Sequence, residues 1–173
     1  MSNIDSAADH DNPSAPGLTH VDASGAARMV DVSAKLPSTR TALATGVVRT
    51  TREVAQLLQH GGLPKGDAIA TARIAGIMAA KRTPDLVPLC HPISISGVTV
   101  DLEVLDAEVR IAATVRTTDR TGVEMEALTA VAVAGLTLHD MIKAVDPAAV
   151  LDAVRVERKD GGKTGSWTRP AGR

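Results

Sequence analysis

Asp140 and Lys143 stand one helical turn apart, just beyond a run that carries no charge from Ala127 to Leu138. An isolated pair at this spacing is an ordinary helix salt bridge of little weight. Apolar surroundings change the reading. A lysine held away from water loses its proton more easily, and a neighbouring carboxylate can orient or accept that proton. Lys65 is a third candidate: Pro64-Lys65-Gly66-Asp67 sets a cation just before a helix start, a position suited to anions. Lysine, unlike arginine, can change protonation state near neutrality.

Other residues suggest binding. Glu124-Met125-Glu126 precedes the charge-free run, and Glu124 has a structural role available in the capping-box pattern Thr121-x-x-Glu124. Glu126 has none. It lies about fourteen residues before Asp140, or roughly 21 Å along a helix axis. One small ligand does not span that distance within one chain, so the two carboxylates serve different sites or meet through a symmetry-related helix. Leu86-Val87-Pro88-Leu89-Cys90-His91-Pro92 is stiff, since prolines fix φ on both sides of Cys90-His91. It is either a buried loop with a hydrogen-bonded histidine or a segment holding an imidazole against a ligand. A metal centre is not indicated, because there is one cysteine and the histidines lack ligand spacing. Asp160-Gly161-Gly162-Lys163-Thr164-Gly165 is not a phosphate-binding P-loop: Glu157 stands where glycine is needed and no helix follows. It reads as a flexible loop whose lysines, Lys159 and Lys163, could cover a phosphate.

These groups must be carried by a chain of 173 residues, enough for one domain with a real core. Hydrophobic residues at 44% and charged residues at 23% are typical of a globular protein. A net charge of −1 gives no global pull toward nucleic acid or membrane. There is no Phe or Tyr and only Trp167, so the core must be aliphatic and aromatic platforms for single-stranded nucleic acid are lacking. The single Cys90 fits a reducing compartment. No run is expected to reach the length of a membrane span, and the first residues lack signal-peptide order, which points to the cytoplasm. Residues 1–17 are expected to form a disordered tail, with one catalytic domain over 18–173.

A strand is expected over Ala42–Arg49, then a helix opened by the capping box Thr50-x-x-Glu53 and closed at Gly61-Gly62. Asp67 caps a second helix that should bury Ile69, Ala70, Ile74, Ile77 and Met78. Alternation predicts a hairpin turning at Asp106-Ala107, with Val104 opposite Val109, Leu102 opposite Ile111 and Glu103 opposite Arg110. A long helix over about Val123–Val145 and a strand over Val150–Arg158 complete a β-α-β-β-α-β order. This is an α+β, ferredoxin-like antiparallel sheet with helices on one face. The long helix is apolar all round, which argues for cover by a neighbouring subunit.

The same segments resemble the cyclic pyranopterin monophosphate synthase family (molybdenum cofactor biosynthesis protein C, MoaC). The likeness runs from about Leu18 to Ser166. It rests on Met29-Val-Asp-Val-Ser-Ala-Lys35, Lys65-Gly-Asp67, Lys81-Arg-Thr83, Pro88-Leu-Cys-His-Pro92, Thr121-Gly-Val-Glu-Met-Glu-Ala-Leu128 and Asp140-Met-Ile-Lys143. The resemblance implies a lyase of molybdenum-cofactor synthesis. It would convert a GTP derivative, whose base is already bonded back onto its ribose, into a cyclic phosphate with release of pyrophosphate. It implies a ferredoxin-like hexamer, a trimer of dimers, with the site between subunits. No cofactor would be required, and any Mg²⁺ would accompany the phosphates. Carried over by motif, Asp140, Lys65 and Lys143 are catalytic. Leu89, Cys90, His91, Met125 and Glu126 hold the pterin, and Asp31, Lys35, Arg40, Glu124, Lys159 and Lys163 complete the pocket or meet phosphates. His139 departs from the aromatic residue often found before the aspartate. The alternatives are a non-catalytic ligand-binding oligomer or a silent paralogue.

Overall fold

The computed structural model describes residues 26–63 and 65–172; the expected tail over 1–17 lies outside them. The elements are β1 (Ser38–Arg49), α1 (Arg52–His60), α2 (Ala68–Ala80), α3 (Thr83–Leu86), β2 (Ile95–Val104), β3 (Glu108–Asp119), α4 (Glu124–Ile142), β4 (Val150–Asp160) and β5 (Trp167–Thr168). Every strand pair is antiparallel, in the order β2-β3-β1-β4-β5. The hairpin has the expected register, with Val104 opposite Val109, Leu102 opposite Ile111 and Glu103 opposite Arg110.

Alternation puts Ala42, Ala44 and Val48 of β1 on the same sheet face as Val109, Ile111, Ala113 and Val115 of β3, and all are buried. α4 covers that face, contributing Ala127, Ala130, Val131, Ala134 and Leu138 to the same core. The core is aliphatic, as the lack of aromatics requires, and Trp167 is partly exposed. α2 packs on α4. The helices approach closely at Gly76, where an added Cβ would lie 2.8 Å from the Ala130 carbonyl oxygen.

Four expectations are corrected. The first helix is capped by Thr51, whose hydroxyl accepts from the Val54 N–H, because Thr50 Oγ1 donates to the buried Asp146 carboxylate. Asp67 does cap α2, but Ile74 and Met78 are half exposed while Ala68, Ala72, Gly76, Ala79 and Ala80 are buried. Apart from Thr71 and Arg73, α2 is apolar all round, and its small-residue face allows the closer approach to α4. The Thr121 capping box does not form: α4 begins three residues later, after Val123, with no side-chain cap. Glu124 is thereby released from a structural role. Finally, α4 is long and apolar enough by length and composition to cross a membrane, but half of that stretch is buried in this fold against the sheet and α2.

Candidate active site

The candidate side chains gather at the two ends of α4. At its C-terminal end, Lys143 Nζ lies 2.8 Å from Asp140 Oδ1, and Lys65 Nζ lies 2.8 Å from both Asp140 Oδ2 and the Asp140 carbonyl oxygen. Local structure explains the cluster. Lys143 is the C-cap of α4, one turn past Asp140, and Lys65 sits in the loop that the Asp67 cap terminates. By donating to a carbonyl in the last turn, Lys65 also satisfies an acceptor that the helix leaves open. Hydrogen bonds from Lys143 and then Lys65 hold the Asp140 carboxyl down at about 2. The carboxylate therefore orients two ammonium groups and stays ionised. The expected exclusion of water is not met within one chain: the side chains of Lys65, Lys143 and Asp140 are 40%, 53% and 55% exposed.

At the N-terminal end lies a cavity of about 510 Å³, into which the 88–92 loop brings Leu89, Cys90 and His91, and α4 brings Glu124, Met125 and Glu126. Glu126 is 3% exposed, and its Oε2 has no hydrogen-bond partner among the described residues. Burial pushes its carboxyl up to about 7, opposed by a bond to its own backbone N–H and assisted by the Glu124 charge. A buried, unsatisfied carboxyl oxygen costs stability, so its retention beside a cavity marks a place for ligand donors.

His91 Nε2 lies 2.8 Å from the Val30 carbonyl oxygen. A carbonyl only accepts, so Nε2 carries a proton and donates it. Burial and then the Glu126 charge push the Cys90 thiol up, which keeps it protonated rather than nucleophilic. Asp31 accepts from the Ser33 N–H and stands beside this wall without lining the cavity; that bond holds its carboxyl below the usual range. Glu124 folds over Gly122 and pairs with Lys159 at 3.4 Å.

A second cavity of about 300 Å³ adjoins the first, sharing Lys35, Thr121, Gly122 and Glu124. Arg40, Lys159 and Lys163 line it. Arg120 also lines it, a residue that motif reasoning passes over. Among the described residues no group of three or more His, Cys, Asp or Glu is placed to hold a metal ion. The structure thus joins Lys65 to Asp140 and Lys143, joins Leu89–His91 to Met125 and Glu126, and keeps the two groups at opposite ends of one helix.

Fold and site together define an α+β protein with a carboxylate–lysine cluster and a ligand-sized cavity, both organised by one core helix. Residues 29–162 match the family model described as MoaC family. A Streptomyces coelicolor protein named cyclic pyranopterin monophosphate synthase is 65% identical over 165 residues, covering 92% of this chain and 97% of its own length. A Nocardioides protein of that name is 66% identical over 156 residues, with 88% and 96% covered. Cyclic pyranopterin monophosphate synthase 2 of Mycobacterium tuberculosis is 62% identical over 152 residues, with 88% and 91% covered. The chain belongs to the MoaC family.

Proposed function

We propose that the protein is a cyclic pyranopterin monophosphate synthase, a lyase of molybdenum-cofactor synthesis acting in the cytoplasm. The observation that carries this reading is Asp140 held at 2.8 Å by two lysine amines, at the motif positions of a family whose members here bear that name. The substrate would be a GTP derivative cyclised between base and ribose. Rearrangement to the pyranopterin moves protons, and closure of the cyclic phosphate requires a hydroxyl oxygen to bond phosphorus as pyrophosphate leaves. Lys65 and Lys143 supply and remove those protons, and Asp140 fixes their positions. Glu126, His91 and the 88–92 loop hold the heterocycle. No cofactor of the protein's own takes part; Mg²⁺ would arrive with the phosphates.

The reading requires a second copy. Glu126 and Asp140 are about fourteen residues apart on one helix, roughly 21 Å along its axis, too far for one substrate to touch both. A partner chain bringing its Lys65–Asp140–Lys143 end to this cavity would complete the site and remove the amines from water. Ile74, Met78, Leu86 and Leu136 leave apolar surface on the helical layer, the kind of surface such a partner covers. A hexamer built as a trimer of dimers fits this need. The central strand order β2-β3-β1-β4 also fits the ferredoxin-like plan, with β5 added at one edge.

Two experiments test the reading. Purified protein given the cyclised GTP derivative should release pyrophosphate and form a cyclic phosphate; no release from folded oligomer removes the lyase and favours a binding protein. Mixing two inactive variants, Glu126→Ala and Asp140→Asn, should restore about one quarter of wild-type activity at random exchange, since half the dimers are mixed and each has one intact site. No recovery after verified exchange excludes a shared site.

A further inference from the structure

Residues 150–160 of β4 lie opposite residues 41–49 of β1, so β4 carries two residues more than the strand it pairs with. Each extra residue makes a bulge. The first lies at Gly46, which faces both Ala153 and Val154, and Ala153 takes a positive φ of 52° there. The second lies between Leu43, opposite Arg158, and Ala44, opposite Val156, and Glu157 is the residue left over. This second bulge decides which side chain faces α4, because paired residues share a sheet face. Ala42 and Ala44 are on the buried face beneath the helix. Lys159, opposite Ala42, is therefore delivered to that face, where its Nζ lies 3.4 Å from Glu124 Oε1. Arg158, opposite Leu43, goes to the outer face and pairs with Asp160. Had the register of Ala44 with Val156 run on unbroken, Arg158 would stand opposite Ala42 and Lys159 opposite Thr41. One extra residue thus exchanges the faces of a lysine and an arginine that are adjacent in sequence.

The bulge is fastened through Glu157 itself. Its Oε1 accepts from Thr45 Oγ1 and from Arg155 Nε, both at 2.7 Å, and its Oε2 lies 3.7 Å from Arg169 Nε. Thr45 and Arg155 are paired residues of β1 and β4, so the carboxylate ties the extra residue to both strands beside the shift. The carbonyls of Val156 and Glu157, successive in the chain, both accept from Arg169, one from Nε and one from the backbone N–H, each at 2.8 Å. Hydrogen bonds from Thr45 and then Arg155 hold the Glu157 carboxyl below the usual range, which keeps the fastening charged.

We infer that Glu157 is a positioning residue: held by Thr45, Arg155 and Arg169, it locks the bulge that turns Lys159, and not Arg158, toward the start of α4. This rests on the proposed function only in taking Lys159 to work in that site. The choice matters chemically, since an ammonium is a compact cation that can release its proton, whereas a guanidinium is larger, planar and permanently charged.

Pyrophosphate release by the full chain is the first readout. Lys159→Ala and Glu157→Ala should each lower kcat/KM by about tenfold or more, while Arg158→Ala, on the outer face, should leave it unchanged. Because Glu157 acts through Lys159, the double variant should match Lys159→Ala to within about twofold. Effects that multiply would make Glu157 a general structural residue and overturn the inference, as would an unchanged kcat/KM in Glu157→Ala. Deleting Glu157 removes the extra residue and leaves Lys159 opposite Ala42, so deletion should harm turnover less than alanine does. A folded deletion variant no more active than Glu157→Ala overturns the inference too. Should Glu157→Ala not fold, Thr45→Val, which removes one bond to the carboxylate with little change of shape, carries the same comparison. The second readout needs no activity. In a crystal structure of Glu157→Ala, Lys159 should have left Glu124; a lysine still opposite Ala42 and paired with Glu124 overturns the inference. A wild type that releases no pyrophosphate loses the proposed lyase activity, and the crystal structure then decides the positioning alone.

Discussion

Asp140→Asn, Lys65→Ala and Lys143→Ala are each expected to lower kcat by about a thousandfold or more, the scale of a lost positioned acid or base. Their thermal stability should stay near wild type, because exposed ion pairs contribute about 0–1 kcal/mol. The two expectations separate chemistry from scaffolding. Lys65 also donates to the Asp140 carbonyl, so Lys65→Ala removes one helix-end hydrogen bond, and a loss of a few degrees is consistent. The double variant Lys65→Ala/Lys143→Ala should be scarcely worse than either single one, since the three groups act as a unit. Acid has a defined effect. The Asp140 carboxyl is lowered from 3.8 to about 2, so its contribution to stability is complete above pH 4 and is lost as pH falls through 2. A limb in the rate between pH 6 and 8 therefore belongs to another group. Wild-type kcat in Lys143→Ala, or a collapse of stability that accounts for the lost rate, would make the cluster a structural feature only.

What was legible in the sequence depended on whether a local pattern had one solution. Alternation through Val98–Val104 and Val109–Val115 has one register for a two-residue turn, and the hairpin formed in it. α2 offered no such constraint. Thr71 and Arg73 apart, Ala68–Ala80 is apolar all round, so bulk alone points to Ile74 and Met78 as core, yet alanines and Gly76 face α4. Thr121-x-x-Glu124 had two solutions, a cap or a free carboxylate, and tertiary contact with Lys159 accompanies the second. Arg120 had no local signature at all. It gains significance only when β1 pairs with both β3 and β4, which brings residues 40, 120 and 159 to one sheet end. The separation of Glu126 from Asp140, by contrast, followed from helical rise alone and stands in the fold.

Glu126 should make ligand binding depend on pH, with the affinity for guanosine rising about tenfold per unit up to pH 7 and levelling above it. The free protein holds this carboxyl neutral until about pH 7, because its surroundings are dry and Glu124 is near. A guanine-type edge presents N–H donors, and the orphaned Oε2 accepts them best when ionised. Binding must therefore expel a proton below pH 7 and need not do so above it. Folding stability runs the opposite way. The unfolded chain releases this proton near 4.5 and the native chain near 7, so stability falls as pH rises between those values, by about 3 kcal/mol in all. Glu126→Gln should abolish both slopes, be more stable than wild type at pH 8, and bind guanosine about thirtyfold to a hundredfold more weakly there, because an amide donor replaces an acceptor. Lys35, Glu124, Cys90 and His91 also line this cavity. The variant isolates the carboxyl from these neighbours: a slope that survives Glu126→Gln belongs to another group, and Glu126 is then not the one that couples protons to recognition.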